Sequence, residues 1–252
     1  MRDVLNMIGR YDPFVRSCLA RADVILASDE ATKREVPSAL RHKAFISTDI
    51  YAPELAARAE PGEQTRTGQR ILFAGRLECW KGPHLAIGAI AKLTQKFPGV
   101  TLTIVGAGPD EAFLRERVTA LGLDAVVTFA GLVPHDRMHG QFASHDLFLF
   151  PSLHETGGMV IGEALVAGTP VVCLNLGGPP NVVDQTCGAV VDALNTDQDA
   201  VEQHLATAVA ALIEDPDALA EKRRGALTKA EAITYPARVR HIAQNYYKAA
   251  TA

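Results

Sequence analysis

The chain is 252 residues long and carries 25 Lys and Arg against 29 Asp and Glu, a net charge of −4. That balance argues against a polyanion-binding surface, because nucleic-acid binders carry a basic excess, so no nucleic-acid partner is expected. With 48% hydrophobic and 21% charged residues the chain can bury a sizeable core, which excludes a disordered class.

The opening MRDVLNMIGRYDPF places charges and a proline where a signal peptide needs an apolar block. No stretch of sequence approaches the roughly 20 apolar residues that span a bilayer. Cys18, Cys79, Cys173 and Cys187 form no C-x-x-C pair and have no histidine at metal-ligand spacing, so neither a disulfide framework nor a metal site is expected. A reducing, cytoplasmic location is the default.

Residues 22–28 (ADVILAS) predict a strand, DEATKREV a helix, and 43–47 (KAFIS) a second short strand. Two strands and a broken helix cannot close a core, so residues 1–52 are expected to be the remnant of a preceding domain. Residues 53–69, rich in Ala, Glu, Gly, Gln and Thr, predict a linker. Beyond it short apolar runs alternate with helical patterns. The strands are Arg70–Ala74 (RILFA), 100–105 (VTLTIV), 125–129 (AVVTF), 146–150 (DLFLF), 170–174 (PVVCL) and Gly188–Val191 (GAVV). Between them, 84–97, 111–122, 135–143 and 159–168 repeat apolar residues every three or four positions. Gly122 and Gly168 fall where helices stop, and Pro109 and Pro134 where they start. Two further helical patterns, 197–213 and 215–232, follow. The fold class is therefore α/β, with one doubly wound parallel-sheet domain over 70–232 whose strands are covered on both faces. After a break, Pro236 starts a last helix, and 233–252 is expected to pack back toward the N-terminal segment.

Two phrases carry chemistry. ILFAGRLECWKGPHLAI leaves a buried strand through Gly75 and Arg76 and reaches Lys81 before the next helix. Ligands of open α/β sheets bind beyond the carboxyl ends of strands, where an arginine fork and a lysine point charge can grip a diphosphate. On spacing alone, a pair of solvated loop cations fits equally well. The second phrase is PSLHETGGMVIGEALVAGTPVV, residues 151–172. Glu155 and Glu163, eight apart, would lie about 80° out of line on one continuous helix. A better geometry leaves Glu155 in the loop, opens the helix at Gly157 and Gly158, and sets Glu163 a turn or more inside. A rise of roughly 7–8 Å then separates the first turn from Glu163, the span between the two sugars of a nucleotide sugar. Its diphosphate would sit at the helix N-terminus, where unpaired N–H groups and the dipole favour an anion. The plainer alternative, a solvated Glu163 and an N-terminal acid at Glu155 worth at most about 1 kcal/mol, explains less of the phrase.

Other features are weaker. VGAGPDE (105–111) lacks the third glycine of a dinucleotide fingerprint and reads as a tight turn, with Gly106 and Gly108 candidates for the crevice wall. His154 adjoins Glu155, yet a lone loop histidine is more often a surface residue. His135, His139 and His145 lack a carboxylate pattern for a metal. Trp80 is either a stacking wall or loop packing, and EKRRG at 221–225 is a solvated helix face.

G-R-L-x-x-x-K-G at 75–82, V-G-x-G-P at 105–109, V-x-F-x-G at 127–131 and P-S-x-x-E-x7-E-A-x-x-x-G-x-P-V-V from Pro151 together resemble one family. It is the retaining GT-B glycosyltransferases of family four, glycosyl transferases group 1, and the likeness to their donor domain covers roughly residues 20–250. The resemblance implies a Rossmann-like domain that binds a UDP or GDP sugar, an incomplete acceptor-domain segment before it, and no cofactor or metal. Arg76 and Lys81 would hold the diphosphate and the leaving-group charge, with Gly75 beside them. Glu155 would bind donor-sugar hydroxyls, and Glu163 the ribose. The backbone of Thr156, Gly157, Gly158 and Met159 would approach sugar and phosphate, and Gly131, Leu132 and Val133 would edge the base. The implied catalytic set is Arg76, Lys81 and Glu155.

The chain departs from the family in three places. FISTDIYAPE stands where an N-G-V-D-type turn is usual, and Thr156-Gly157-Gly158 replaces an aromatic-Gly pair. Nothing corresponds to the start of the acceptor domain, with its Gly-rich loop and histidine. The expected function is transfer to a glycan or lipid-linked acceptor in polysaccharide or lipopolysaccharide assembly, in the cytoplasm or peripheral to the inner face of the membrane. A partner chain or homodimer would supply the missing acceptor surface. The alternative is a nucleotide-sugar-binding fragment inactive without such a partner; a GT-B epimerase fits the E-x7-E phrase less well.

Overall fold

The computed structural model describes residues 12–48, 50–53 and 68–247. The calls for residues 1–11, and for the linker over 54–67, lie outside the described residues. The first described elements are α1 (Pro13–Arg21), β1 (Ile25–Ala27), α2 (Glu30–Glu35) and β2 (Ala44–Ile46). Strand and helix then alternate through β3 (Arg70–Ala74), α3 (Pro83–Leu93), β4 (Thr101–Val105), α4 (Glu111–Ala120), β5 (Val127–Gly131) and α5 (His135–Ser144). The chain continues through β6 (Leu147–Phe150), α6 (Met159–Val166), β7 (Val171–Leu174) and β8 (Gly188–Val191). It ends in α7 (Gln198–Glu214), α8 (Pro216–Ala232) and α9 (Tyr235–Ile242).

Strands β3 to β8 form one parallel sheet in the order β5-β4-β3-β6-β7-β8. The chain winds outward from β3 on one side, returns, and winds outward from β6 on the other. The reversal opens a crevice between the carboxyl ends of β3 and β6, the place where such sheets bind ligands.

The two-residue period of the strands sorts their side chains into two cores. Ile71, Phe73, Leu147, Leu149, Val172 and Leu174 pack with α3, α4 and α7. Their neighbours Leu72, Ala74, Phe148, Phe150, Val171 and Cys173 pack with α5, α6 and α8. Each large apolar side chain buried in this way contributes about 1.5–3 kcal/mol. Covering both faces explains why these strands read as near-continuous apolar runs.

Turns move several expected boundaries. The strand expected at 125–129 begins at Val127, because Leu123 O accepts from both Val126 N and Val127 N at 2.9 Å and draws Ala125 and Val126 into the turn after α4. The helix expected over 84–97 stops at Leu93, and Pro98 closes the turn that follows it. Asp146 is fully buried at the start of β6, where its carboxylate accepts from Arg70 N at 3.1 Å and from Arg70 Nη2 at 3.2 Å.

Ahead of the main sheet, β1 and β2 form a parallel pair. Ile50 and Ala52 are buried in the α6 and α8 core, and Ala52 N donates to Ile233 O at 3.1 Å. The C-terminal stretch lies against the same segment: Arg238 Nη2 donates to Ser47 Oγ at 3.0 Å, and the Phe45 and Tyr246 rings are 5.0 Å apart. Among the described residues no helix is long and apolar enough to cross a membrane.

Candidate functional site

The crevice is walled by the loops after β3, β4, β5 and β6, with Gly106 and Ala107 the contribution of the loop after β4. After β3, the chain runs through Gly75 and Arg76 into a single 3-10 turn, Cys79–Lys81. That turn is held from two sides. Asp110, after β4, accepts from Cys79 N at 2.6 Å, and Trp80 O, in the turn, accepts from Leu153 N at 2.9 Å. Gly82 ends the turn at φ 77°, and a side chain there would collide with the Pro151 carbonyl. The loops after β3 and β6 are thus stitched together by backbone. Gly106 makes the corresponding close approach after β4, where a side chain would strike the Gly75 carbonyl.

This stitching brings Lys81 to Glu155, 74 residues later, at Nζ to Oε2 2.5 Å. Both side chains are largely buried, at 16% and 11% exposure, so water screens the pair much less than the exposed pairs worth about 0–1 kcal/mol. Lys81 Nζ also lies 4.3 Å from the centroid of the Trp80 ring. Arg76 is exposed on the same wall, with Nη2 2.7 Å from Glu78 Oε1.

The third feature is the N-terminus of α6. Gly158 caps it without a side-chain hydrogen bond, and no acidic residue sits in the first turn. Of the N–H groups that open α6, Met159 N donates to Gly157 O at 3.1 Å and Ile161 N to Gly158 O at 2.8 Å, and the helix dipole turns positive potential to the crevice. Glu163 lies one turn further in, on the same wall. Burial raises its carboxyl above the ordinary range, while His135, with Nδ1 4.0 Å from Oε1, pulls it back.

The cleft these loops enclose has a volume of about 410 Å³. Gly75, Arg76 and Lys81 line it from the β3 side, and Leu132 and Val133 from the loop after β5. Glu155, Gly157, Gly158, Met159 and Glu163 line it from the β6 side. Two expected site residues sit elsewhere. Gly131 is the last residue of β5, where its φ of 68° turns the chain, and it stands behind Leu132 rather than on the wall. Thr156 is drawn off the wall because Glu155 O accepts from Gly178 N at 2.8 Å, which lays the Thr156 carbonyl against Gly178.

A family model described as glycosyl transferases group 1 matches residues 58–230. The chain belongs to this family. It is 32% identical over 226 residues to the GDP-mannose-dependent alpha-(1-6)-phosphatidylinositol monomannoside mannosyltransferase of Mycobacterium tuberculosis, covering 81% of this chain and 57% of that protein. It is 31% identical over 234 residues to the glycogen synthase of the same species, covering 86% and 55%. The chain thus spans about half the length of the curated relatives it matches. Among solved structures, the pneumococcal O-GlcNAc transferase GtfA in complex with UDP and GlcNAc superposes with a TM-score of 0.71. That match covers 96% of this chain and 48% of the other at 16% identity, a likeness of fold that places the α/β domain in the GT-B type.

Within this group 1 chain, sequence reasoning missed part of the wall. Ala74, Val105 and Phe150 are the last residues of three strands, and Met138 and Val160 come from α5 and α6. The strand ends had a usable signal, since the carboxyl edge of a parallel sheet is where the crevice forms. Met138 had none, because an apolar helix position reads as core. Its neighbours in the core include Phe142 and Phe148, and only its edge reaches the cleft.

Proposed function

We propose that the protein binds a nucleoside-diphosphate sugar in this cleft and transfers the sugar, with retention at the anomeric carbon, to a glycan or lipid-linked acceptor. The observation that carries the reading is the Lys81–Glu155 pair, set inside the crevice at the strand reversal and beside the open end of α6. The family match supports the same reaction class.

The diphosphate lies between Arg76, Lys81 and the N–H groups of α6. Glu155 pairs with Lys81; with a donor in the cleft, the ammonium turns to phosphate and the carboxylate accepts hydrogen bonds from sugar hydroxyls. Glu163 accepts from the ribose, and the base rests beside Leu132 and Val133, with Gly131 behind them. The backbone of Gly157, Gly158 and Met159 borders sugar and phosphate, with Thr156 set back from the wall. The bond from the anomeric carbon to the β-phosphate oxygen breaks as an acceptor hydroxyl oxygen bonds to the same face of that carbon. The hydroxyl proton passes to the departing diphosphate. Cationic side chains already in place stabilise the charge that builds there, the kind of contribution that is usually largest in enzymes.

The relatives guide the choice of substrates. A GDP-mannose-dependent enzyme acting on a phosphatidylinositol mannoside makes GDP-mannose the first donor and a lipid-linked sugar the first acceptor to try, with UDP sugars and α-glucans next. A lipid-linked acceptor would hold the enzyme at the inner face of a membrane.

The test is calorimetry with UDP, GDP and their sugars on the protein and on Lys81→Ala and Arg76→Ala, beside a donor-hydrolysis assay. Losing one charge-assisted contact of about 1.5–3 kcal/mol should weaken nucleotide binding roughly ten- to a hundredfold. Unchanged affinity in both variants refutes the diphosphate assignment. A second reading, a donor-binding module without transfer of its own, has its own observation: the cleft is lined wholly by residues 74–163 of the β3–β8 domain. Binding without hydrolysis or transfer favours the module.

A further inference from the structure

Trp80 is the sole tryptophan of the chain, and it packs into neither core. It is 42% exposed, yet one face of its ring is taken. Lys81 Nζ stands 4.3 Å from the ring centroid while the same atom is 2.5 Å from Glu155 Oε2. The indole is aimed by backbone: its carbonyl accepts from Leu153 N at 2.9 Å, and Asp110 fixes Cys79 N next to it at 2.6 Å. A large apolar ring held half in water contributes little to folding, so its placement over a charged side chain calls for another explanation.

We propose that Trp80 is a positioning residue whose indole face holds the Lys81 ammonium at the diphosphate position of the cleft. The inference rests on the reading of Lys81 as a diphosphate ligand. A lysine stem samples many rotamers, and Glu155 alone fixes the ammonium only until the donor sugar claims that carboxylate. The negative face of an indole attracts the ammonium without consuming any of its three N–H donors in a conventional hydrogen bond. The donors therefore stay available to pass from Glu155 to phosphate, while the charge remains where the diphosphate arrives. Trp80 acts through Lys81 and need not touch the donor.

The decisive experiment compares Trp80→Phe, Trp80→Leu, Lys81→Met and the Trp80→Leu/Lys81→Met double variant by calorimetry with UDP and GDP. It also records the emission of the lone tryptophan in the unligated protein and in Lys81→Met. Trp80→Phe, which keeps an aromatic face, should retain affinity within about threefold. Trp80→Leu, apolar but without that face, should lose about two- to thirtyfold, and the loss should vanish when Lys81 is already methionine. The emission maximum should move in Lys81→Met. Equal affinity in the Phe and Leu variants, a Leu penalty that persists without the lysine, or coincident emission spectra would each overturn the assignment. Full nucleotide affinity in Lys81→Met overturns the donor-site reading itself, whereas affinity that depends on Lys81 but not on the indole overturns the Trp80 role alone.

Discussion

Glu163 is the acidic residue of the cleft whose chemistry can be read from solution. Burial raises its carboxyl, with His135 opposing, so it gains its proton at a higher pH than an ordinary glutamate. On the reading that Glu163 binds the ribose, the ionised carboxylate is the stronger acceptor for its hydroxyls. Donor affinity should therefore be full at neutral pH and fall as pH drops through that raised value, before ordinary carboxylates titrate. In Glu163→Gln the affinity should be about tenfold lower at neutral pH, and this step in the pH profile should be gone. Parallel pH profiles for the two proteins would remove Glu163 from the site. At this scale the sequence was legible where residue type and position beyond a strand were enough, as for Arg76, Lys81 and Glu155. It was silent on pairing. That Lys81 meets Glu155 rather than Glu78, and that Arg76 takes Glu78, depends on two loops 74 residues apart being sewn together.

The elements that matter most are short. The 3-10 turn that carries Trp80 and Lys81 ends at Gly82, with φ 77° and the Pro151 carbonyl against it. Gly82→Ala adds a left-handed backbone penalty and a backbone collision, so it should cost at least about 1–3 kcal/mol in denaturant unfolding and weaken nucleotide binding through Lys81. An alanine variant with wild-type stability and affinity would mean the turn has slack that the close approach denies. Helix α6 was readable from Gly157-Gly158 and the spacing after them, as was its end before Gly168. Boundaries such as the start of β5 were not, because Val126 and Val127 both turn on a carbonyl of Leu123, a choice made by hydrogen bonds rather than by apolar pattern.

Over the whole molecule, the doubly wound sheet was written in the alternation of apolar runs and helices, since strands covered on both faces leave that imprint. That 233–252 packs back toward the N-terminal segment was expected from the sequence, but the particular contacts of residues 47–52 with the end of α8 and with α9 were not, because they join segments nearly 190 residues apart through a few hydrogen bonds and aromatic edges. The closing helices are also tied by charge. Burial pushes the Asp184 carboxyl up, but hydrogen bonds from Lys229 Nζ and from Thr186, with the Lys229 charge, outweigh it and hold the group at about 2, below its ordinary 3.8. A carboxyl depressed by folding stabilises the native state above its unfolded value and loses that contribution as pH falls through the folded one. The melting temperature of Asp184→Asn should therefore vary less than that of the wild type between about pH 4 and pH 2; identical slopes would show that the loop before β8 gains nothing from Lys229.

All these scales meet in the crevice between β3 and β6, and a crystal structure of the protein with a nucleoside-diphosphate sugar tests it most directly. The account predicts the diphosphate between Lys81, Arg76 and the first turn of α6, with Glu155 turned from Lys81 to the sugar and Glu163 on the ribose. A donor bound anywhere else, or one bound there with the Lys81–Glu155 pair undisturbed and no contact to phosphate, would contradict it.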